Sequence, residues 1–294
     1  MAELIIDQRE RDLGGFTVGR VLPVAARRMV GPFIFFDHMG PVQWQAGLPA
    51  GTDVRPHPHI GLATVTYLFD GEIMHRDSIG SQQAIRPGEV NWMVAGRGVT
   101  HSERFERARR EGGPMHGVQA WVALPAEFEE RDPTFAHHPA EDLPTYEGGG
   151  LRACLIAGEA FGARAKVATL SPLFYVHWRL EAGARAELPA RYSERAAFVA
   201  SGAVDVDGHE LAAGRMLVFS HSRPALFTAL RPSTVLLLGG EPVGPRFIDW
   251  NFVSSSRERI EQAKADWRAG RMALPPDDAA DRIPYPGDPP FAPS

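Results

Sequence analysis

One pattern occurs twice in this chain, and it limits the fold more than any other feature. In the first half, Thr66-Tyr67-Leu68-Phe69-Asp70-Gly71 is a β-branched and aromatic run that ends on a turn pair. Arg86-Pro87-Gly88-Glu89 then turns into Val90-Asn91-Trp92-Met93. In the second half, Ala197-Phe198-Val199-Ala200-Ser201-Gly202 is followed by Ala212-Ala213-Gly214-Arg215 and Met216-Leu217-Val218-Phe219. Each time a strand stops at glycine, a short hairpin follows, and a turn glycine opens the next strand. The likeness is one of pattern, not identity. Two related β-barrels in one chain is the economical reading. The 30 glycines and 25 prolines, spread widely, suit many short strands joined by turns.

A chain of 294 residues has room for one large domain or two smaller ones, each with its own core. The polar stretch 132–150 contains Pro133, Pro139, Pro144 and the glycines Gly148, Gly149 and Gly150, and reads as a boundary. The expected division is residues 1–135 as one barrel, 136–150 as a linker, and 151–294 as a second barrel with a C-terminal helix and a proline-rich tail. Ser255 and Glu258 are placed for a capping box, and Ile260, Ala263 and Trp267 share a helix face suited to packing on a barrel. Gly270 and Pro275-Pro276 stop the helix. The tail to Ser294 is expected to be extended or loosely ordered.

Composition removes several classes of function. Hydrophobic residues make up 44% and charged residues 23%, as in an ordinary globular protein. The net charge of -5, with no lysine or arginine block, argues against direct nucleic-acid binding. No apolar stretch reaches the length of a membrane span, and charge from Glu3 onward argues against a signal peptide. A soluble cytoplasmic protein is the expectation. The single cysteine, Cys154, rules out an intramolecular disulfide and reads as a small buried hydrophobe.

The chemistry is concentrated in two short segments. In Pro56-His57-Pro58-His59, extended backbone would turn both imidazoles to one face. His101-Ser102-Glu103 repeats the device with a third imidazole and a carboxylate. Four such groups can surround one transition-metal ion, and Fe, Mn, Ni, Cu and Zn all suit them. Other candidates read as structural. His75 and Asp77 share a strand face, placed at the rim of the pocket. Gly96-Arg97-Gly98 suits a tight turn before the second ligand segment rather than a dinucleotide loop. Asp37-His38 either faces the site or ties a loop, with the second preferred, and His137-His138 is expected to be solvated.

These residues resemble the pirins, members of the cupin superfamily. Gly51, His57 and His59, with Gly71 closing the strand, look like the first cupin motif. Gly88 and Val94-Ala95-Gly96-Arg97-Gly98-Val99-Thr100-His101-Ser102-Glu103 look like the second in its pirin form. Gly31-Pro32-Phe33-Ile34-Phe35-Phe36-Asp37-His38-Met39-Gly40-Pro41 is similar to the family's N-terminal signature. Trp250-Asn251-Phe252-Val253-Ser254-Ser255-Ser256 is similar to its C-terminal end. The resemblance implies an all-β fold of two tandem cupin barrels, each a double-stranded β-helix or jelly roll, with a short C-terminal helix. It also implies one divalent metal, usually Fe2+, in the N-terminal barrel. The matching ligands are His57, His59, His101 and Glu103, and Mn, Ni, Cu, Co or Zn would fit the same donors.

The chain departs from the pattern at one place. The first motif commonly carries a glutamate with three or four residues between it and the second histidine, and Ala63 and Thr64 stand there. The second repeat is expected to lack a metal. Pattern matching puts Leu188, Ala190, Phe227 and Ala229 at its ligand positions, and His177, His209 and His221 do not form a ligand set.

Some pirins are assigned quercetin 2,3-dioxygenase activity. The resemblance therefore implies an oxygenase whose partners are O2 and a flavonol or other small aromatic enol. Glu103 would then be a ligand and a catalytic proton acceptor. The competing class is a non-enzymatic, iron-dependent redox-responsive regulator that binds a protein partner. A third is a hydrolase or isomerase using the metal as a Lewis acid. All three need the same four residues.

Overall fold

The structure, a computed structural model, describes residues 2–13, 15–220 and 222–289. Strands take 53% of the described residues and helix 10%, so the all-β expectation holds. The described residues divide into two compact units that do not follow chain order. One is drawn from Arg11–Val18, Met39–His137 and Gly244–Ser294, and the other from Met1–Glu10, Gly19–His38 and His138–Val243. The division expected at 136–150 is thus replaced by interleaved segments. Long-range strand pairing is the reason at the N-terminus. Strand Ala2–Asp7 pairs antiparallel with Arg215–Phe219, with Ile5 opposite Leu217 and Ile6 opposite Met216. Nor is 136–150 a structureless linker, since it holds the end of strand Thr134–His138 and all of Thr145–Gly148.

In the unit that carries the histidines, one sheet runs in the order Val54–His59, Val99–Arg104, Ile73–Asp77, Gln82–Ile85. Strands Val90–Val94, Leu62–Asp70 and Gly113–Ala123 lie side by side in the second sheet. The other unit has Arg185–Leu188, Ala225–Ala229, Ala203–Val206 and His209–Ala212 in the corresponding order. Its second sheet has Arg215–Phe219, Glu194–Ser201 and Ser233–Gly240 in the order of their three counterparts. One topology is therefore built twice, as the repeated sequence pattern requires.

The interiors differ. The second barrel is filled with apolar side chains, among them Trp178, Leu188, Leu217, Phe227, Ala229 and Val235. Trp178 meets Phe227 edge to face at 5.4 Å. Three of the four positions matched to metal ligands, Leu188, Phe227 and Ala229, thus belong to a packed core. Cys154 is partly exposed rather than buried, on the opposite side of its strand from the buried Ala153 and Leu155.

The C-terminal helix, Arg257–Arg268, belongs to the histidine-bearing unit. Ile260, Ala263 and Trp267 are buried as expected, and they join Ile60 and Phe252 in one apolar cluster. Ile60 directly follows His59. The cap lies one residue later than expected: Ser256 Oγ, not Ser255, accepts the N–H of Arg259 at 3.2 Å. Ser255 is held elsewhere, its N–H and hydroxyl both donating to the Glu129 carboxylate at 3.0 Å.

The segment after the helix is held by hydrogen bonds as far as Asp288, which accepts from Arg268 at 2.7 Å, rather than loose. Trp267 Nε1 donates to the Ile283 carbonyl at 3.0 Å, and Ile283 N–H donates to the Pro56 carbonyl at 2.9 Å. Asp278 accepts from Ser102 Oγ at 2.5 Å and from Arg104 at 2.7 and 2.6 Å. Among the described residues no helix is long and apolar enough to cross a membrane.

Candidate metal centre

Strand Val54–His59 lies at one end of its sheet. An edge strand tolerates Pro56 and Pro58, which lack the N–H a central strand would need. Alternation then puts His57 and His59 on one face, and the register places His101 directly opposite His57. All three are buried, at 6%, 1% and 1% exposure. The ring centroids lie 4.4 Å apart for His57 and His101, and 5.0 Å apart for His59 with either neighbour. One ligand atom from each histidine lies within 4.8 Å of the other two.

Backbone carbonyls decide two of the three tautomers. His57 Nδ1 faces the Arg55 carbonyl at 2.9 Å, and His59 Nδ1 faces the Asn251 carbonyl at 3.2 Å. A carbonyl can only accept, so both rings carry hydrogen at Nδ1 and leave Nε2 bare. His59 Nε2 stands 3.1 Å from His101 Nε2. Burial pushes the His57 pKa down to about 4 against a partly opposing bond to the Arg55 carbonyl. Burial also holds His59 and His101 well below the ordinary histidine range, and neighbouring imidazoles add to the effect. Neutral imidazoles crowding their lone pairs together are poor partners for one another. They are a good donor set for a divalent transition metal, so the residues fit such an ion.

Glu103 extends the same strand face and lies opposite His75. It is buried, and its Oε1 accepts from Gln119 Nε2 at 2.5 Å. Burial raises its pKa to about 7, although the Gln119 bond acts the other way. Glu103 is not part of the close three-histidine group. Gln119 comes from strand Gly113–Ala123, as does Trp121, which meets the His59 ring edge-on at 5.0 Å. Nothing in the local sequence marks Gln119. Only the placement of its strand across from Glu103 reveals it.

The remaining candidates fall as follows. Thr64 lies opposite Trp121 and Met93, hence on the site face, whereas Ala63 lies opposite Val122 and Val94 on the far face. A carboxylate at position 63 would therefore point away from the histidines. His75 and Asp77 are not at a rim: they are buried at 5% and 0% exposure, with Nε2 and Oδ2 3.0 Å apart. Asp37 and His38 sit in a strand rather than a loop. Arg20 grips Asp37 through two bonds of 2.9 and 2.8 Å, and His38 Nδ1 lies 3.1 Å from Gln8 Oε1.

His137 is half-buried rather than solvated, 2.8 Å from Asn91 Oδ1. Gly96-Arg97-Gly98 forms the expected tight turn. Gly96 has φ 51°, and a Cβ there would come within 2.1 Å of the Arg131 carbonyl. In the other unit His177 is buried and His209 exposed, and His221 lies outside the described residues. A cleft of about 780 Å³ around Arg164, Lys166 and Tyr192 also belongs to that unit and not to the histidines.

Known proteins agree with this architecture. Residues 15–122 match the family model described as Pirin, and residues 175–273 match the Pirin C-terminal cupin domain. A pirin-like protein of Caulobacter vibrioides is 65% identical over 288 residues, which cover 97% of this chain and 100% of that one. A Pseudomonas aeruginosa protein named as a candidate quercetin 2,3-dioxygenase is 38% identical over 260 residues, 87% of this chain and 80% of its own. The crystal structure of a quercetin 2,3-dioxygenase from Acinetobacter baumannii superposes with a TM-score of 0.89 at 35% identity. The match covers 97% of this chain and 95% of that one.

Proposed function

The chain belongs to the pirin family of two-cupin proteins, and on that premise we propose that it is a metal-dependent dioxygenase of a flavonol or other aromatic enol. One divalent metal, iron first among the compatible ions, is held by His57, His59, His101 and Glu103. The observation that carries this reading is the set of three neutral buried imidazoles, two with Nε2 bared by carbonyl bonds, beside a carboxyl of pKa about 7. The bound metal supplies the redox chemistry that couples an electron-rich enol to O2.

The chain's own residues do the rest. Burial favours proton uptake by Glu103, whereas metal ligation would draw its pKa down, so Glu103 would act first as a ligand and, as a weakened base, would accept the proton of the substrate hydroxyl. Gln119 orients it by holding Oε1. Trp121 and the burial of the three histidines keep water from the reacting groups. The substrate class rests on the two similar proteins named for quercetin dioxygenation.

The test is oxygen uptake by iron-loaded protein with quercetin and a panel of flavonols. Uptake should require the metal and fall roughly 100-fold or more in Glu103→Ala. No uptake with any flavonol would sink the dioxygenase reading in favour of a regulator, to be followed by pull-down of a protein partner.

A further inference from the structure

Two of the three histidine tautomers are set by backbone carbonyls, but His101 has none. Its Nδ1 faces another imidazole, His75 Nδ1, at 3.3 Å. Of two facing ring nitrogens only one can carry the shared hydrogen, so what holds His75 decides what His101 presents to the centre.

His75 is held by Asp77. Asp77 Oδ1 accepts the backbone N–H of Ile79 at 3.1 Å and of Ser81 at 2.9 Å. Its Oδ2 is left for His75 Nε2 at 3.0 Å. That places hydrogen on His75 Nε2, leaves His75 Nδ1 bare, and makes it an acceptor for His101 Nδ1–H. Phe135 stacks on the His75 ring at 4.5 Å and 20°, which fixes its plane. Strand register supports the arrangement, with His101 opposite Asp77 and Glu103 opposite His75.

The alternative tautomer has an outlet that makes this control matter. With hydrogen on Nε2, His101 would donate to His59 Nε2, 3.1 Å away, and close the point where the three rings converge. We propose that His75 and Asp77 are positioning residues: a buried dyad that holds His101 in its Nδ1–H form and so keeps His101 Nε2 bare for the metal. The consequence for metal affinity rests on the metal reading above, whereas the tautomer does not. Partners of this kind behind a ligating histidine typically affect metal affinity by about 10- to 100-fold.

Two readouts test the dyad. Long-range proton–nitrogen NMR of metal-free, histidine-labelled protein reports the His101 tautomer directly. Competition with a chromophoric chelator reports iron or zinc affinity. In the wild type His101 should carry hydrogen on Nδ1. His75→Leu and Asp77→Asn should shift it toward the Nε2–H form and weaken metal binding about 10- to 100-fold, with one metal still bound at saturation. His75→Gln offers an amide oxygen to His101 and an amide N–H to Asp77, and should recover much of the loss. A merely structural pair would lower thermal stability without moving the tautomer.

Unchanged His101 tautomer and affinity in both His75→Leu and Asp77→Asn would overturn the proposal. If His75→Leu does not fold, Asp77→Asn and His75→Gln decide it by the same NMR signals. A wild type that takes up no metal would refute the metal reading. The metal-free tautomer would still decide the dyad.

Discussion

A buried histidine that stays neutral weakens a fold in acid, and the site residues give that weakness a sign. In metal-free protein His57 titrates at about 4 when folded, against 6.5 when exposed. As pH falls the unfolded chain takes the proton first. Stability that is complete above pH 6.5 is therefore lost between 6.5 and 4, by roughly 3 kcal/mol for His57 alone. His59 and His101 are shifted the same way. Glu103 works in the opposite sense. Its folded pKa of about 7 lies above 4.5, so it favours the fold as pH falls from 7 to 4.5 and offsets part of the loss. Three groups against one leave a net loss. With chelator present, the urea midpoint should fall clearly from about pH 7.5 to about pH 5, and less steeply in His57→Gln. An equal midpoint at both values would contradict neutral, buried imidazoles.

The elements explain why these side chains hold still. Both ligand strands are gripped from the C-terminal segment: Ile283 meets the Pro56 carbonyl, and Asp278 meets Ser102 and Arg104, the neighbours of Glu103. Asp278→Ala removes a charge-assisted cluster that is mostly buried. It should cost about 1–3 kcal/mol in thermal or urea unfolding and weaken metal binding measured by chelator competition. Full retention of both would show that the segment is only draped over the strands. Element type was readable in advance. Alternation marked the strands, and the 3.6-residue period marked the helix face of Ile260, Ala263 and Trp267. The helix cap was misplaced by one residue because Glu129, 126 positions before Ser255, recruits that serine. The ordering of the C-terminal segment was hidden for the same reason. Composition says proline-rich, but the partners that tie it to the ligand strands lie more than 170 residues away in sequence, as Ser102 does from Asp278.

At the scale of the whole molecule, contiguous halves are not the structural units. The histidine-bearing unit needs residues 244–289: Asn251 supplies the carbonyl for His59, Phe252 packs on Ile60, and Arg246 pairs with buried Glu129 at 2.7 Å. A fragment of residues 1–150 should therefore lack fixed near-ultraviolet circular dichroism and bind no stoichiometric metal, while the full chain binds one equivalent. A fragment that held one metal at the full chain's affinity would refute this dependence.

The sequence by itself determined the fold class, the doubled topology, and the pairing of His57 with His59 and of His101 with Glu103. Each of these follows from a period of two or from a repeat, and such signals survive in one dimension. Tertiary structure alone decided that Gln119 holds Glu103, that His75 touches His101, and that Thr64 rather than Ala63 faces the site. The phase of alternation cannot be carried from His59 to position 63, because Gly61, at φ 67°, turns the chain between two strands. Contacts across strands depend on register and on which distant segment supplies the neighbour. Long-range pairing fixes both, and no local pattern encodes them.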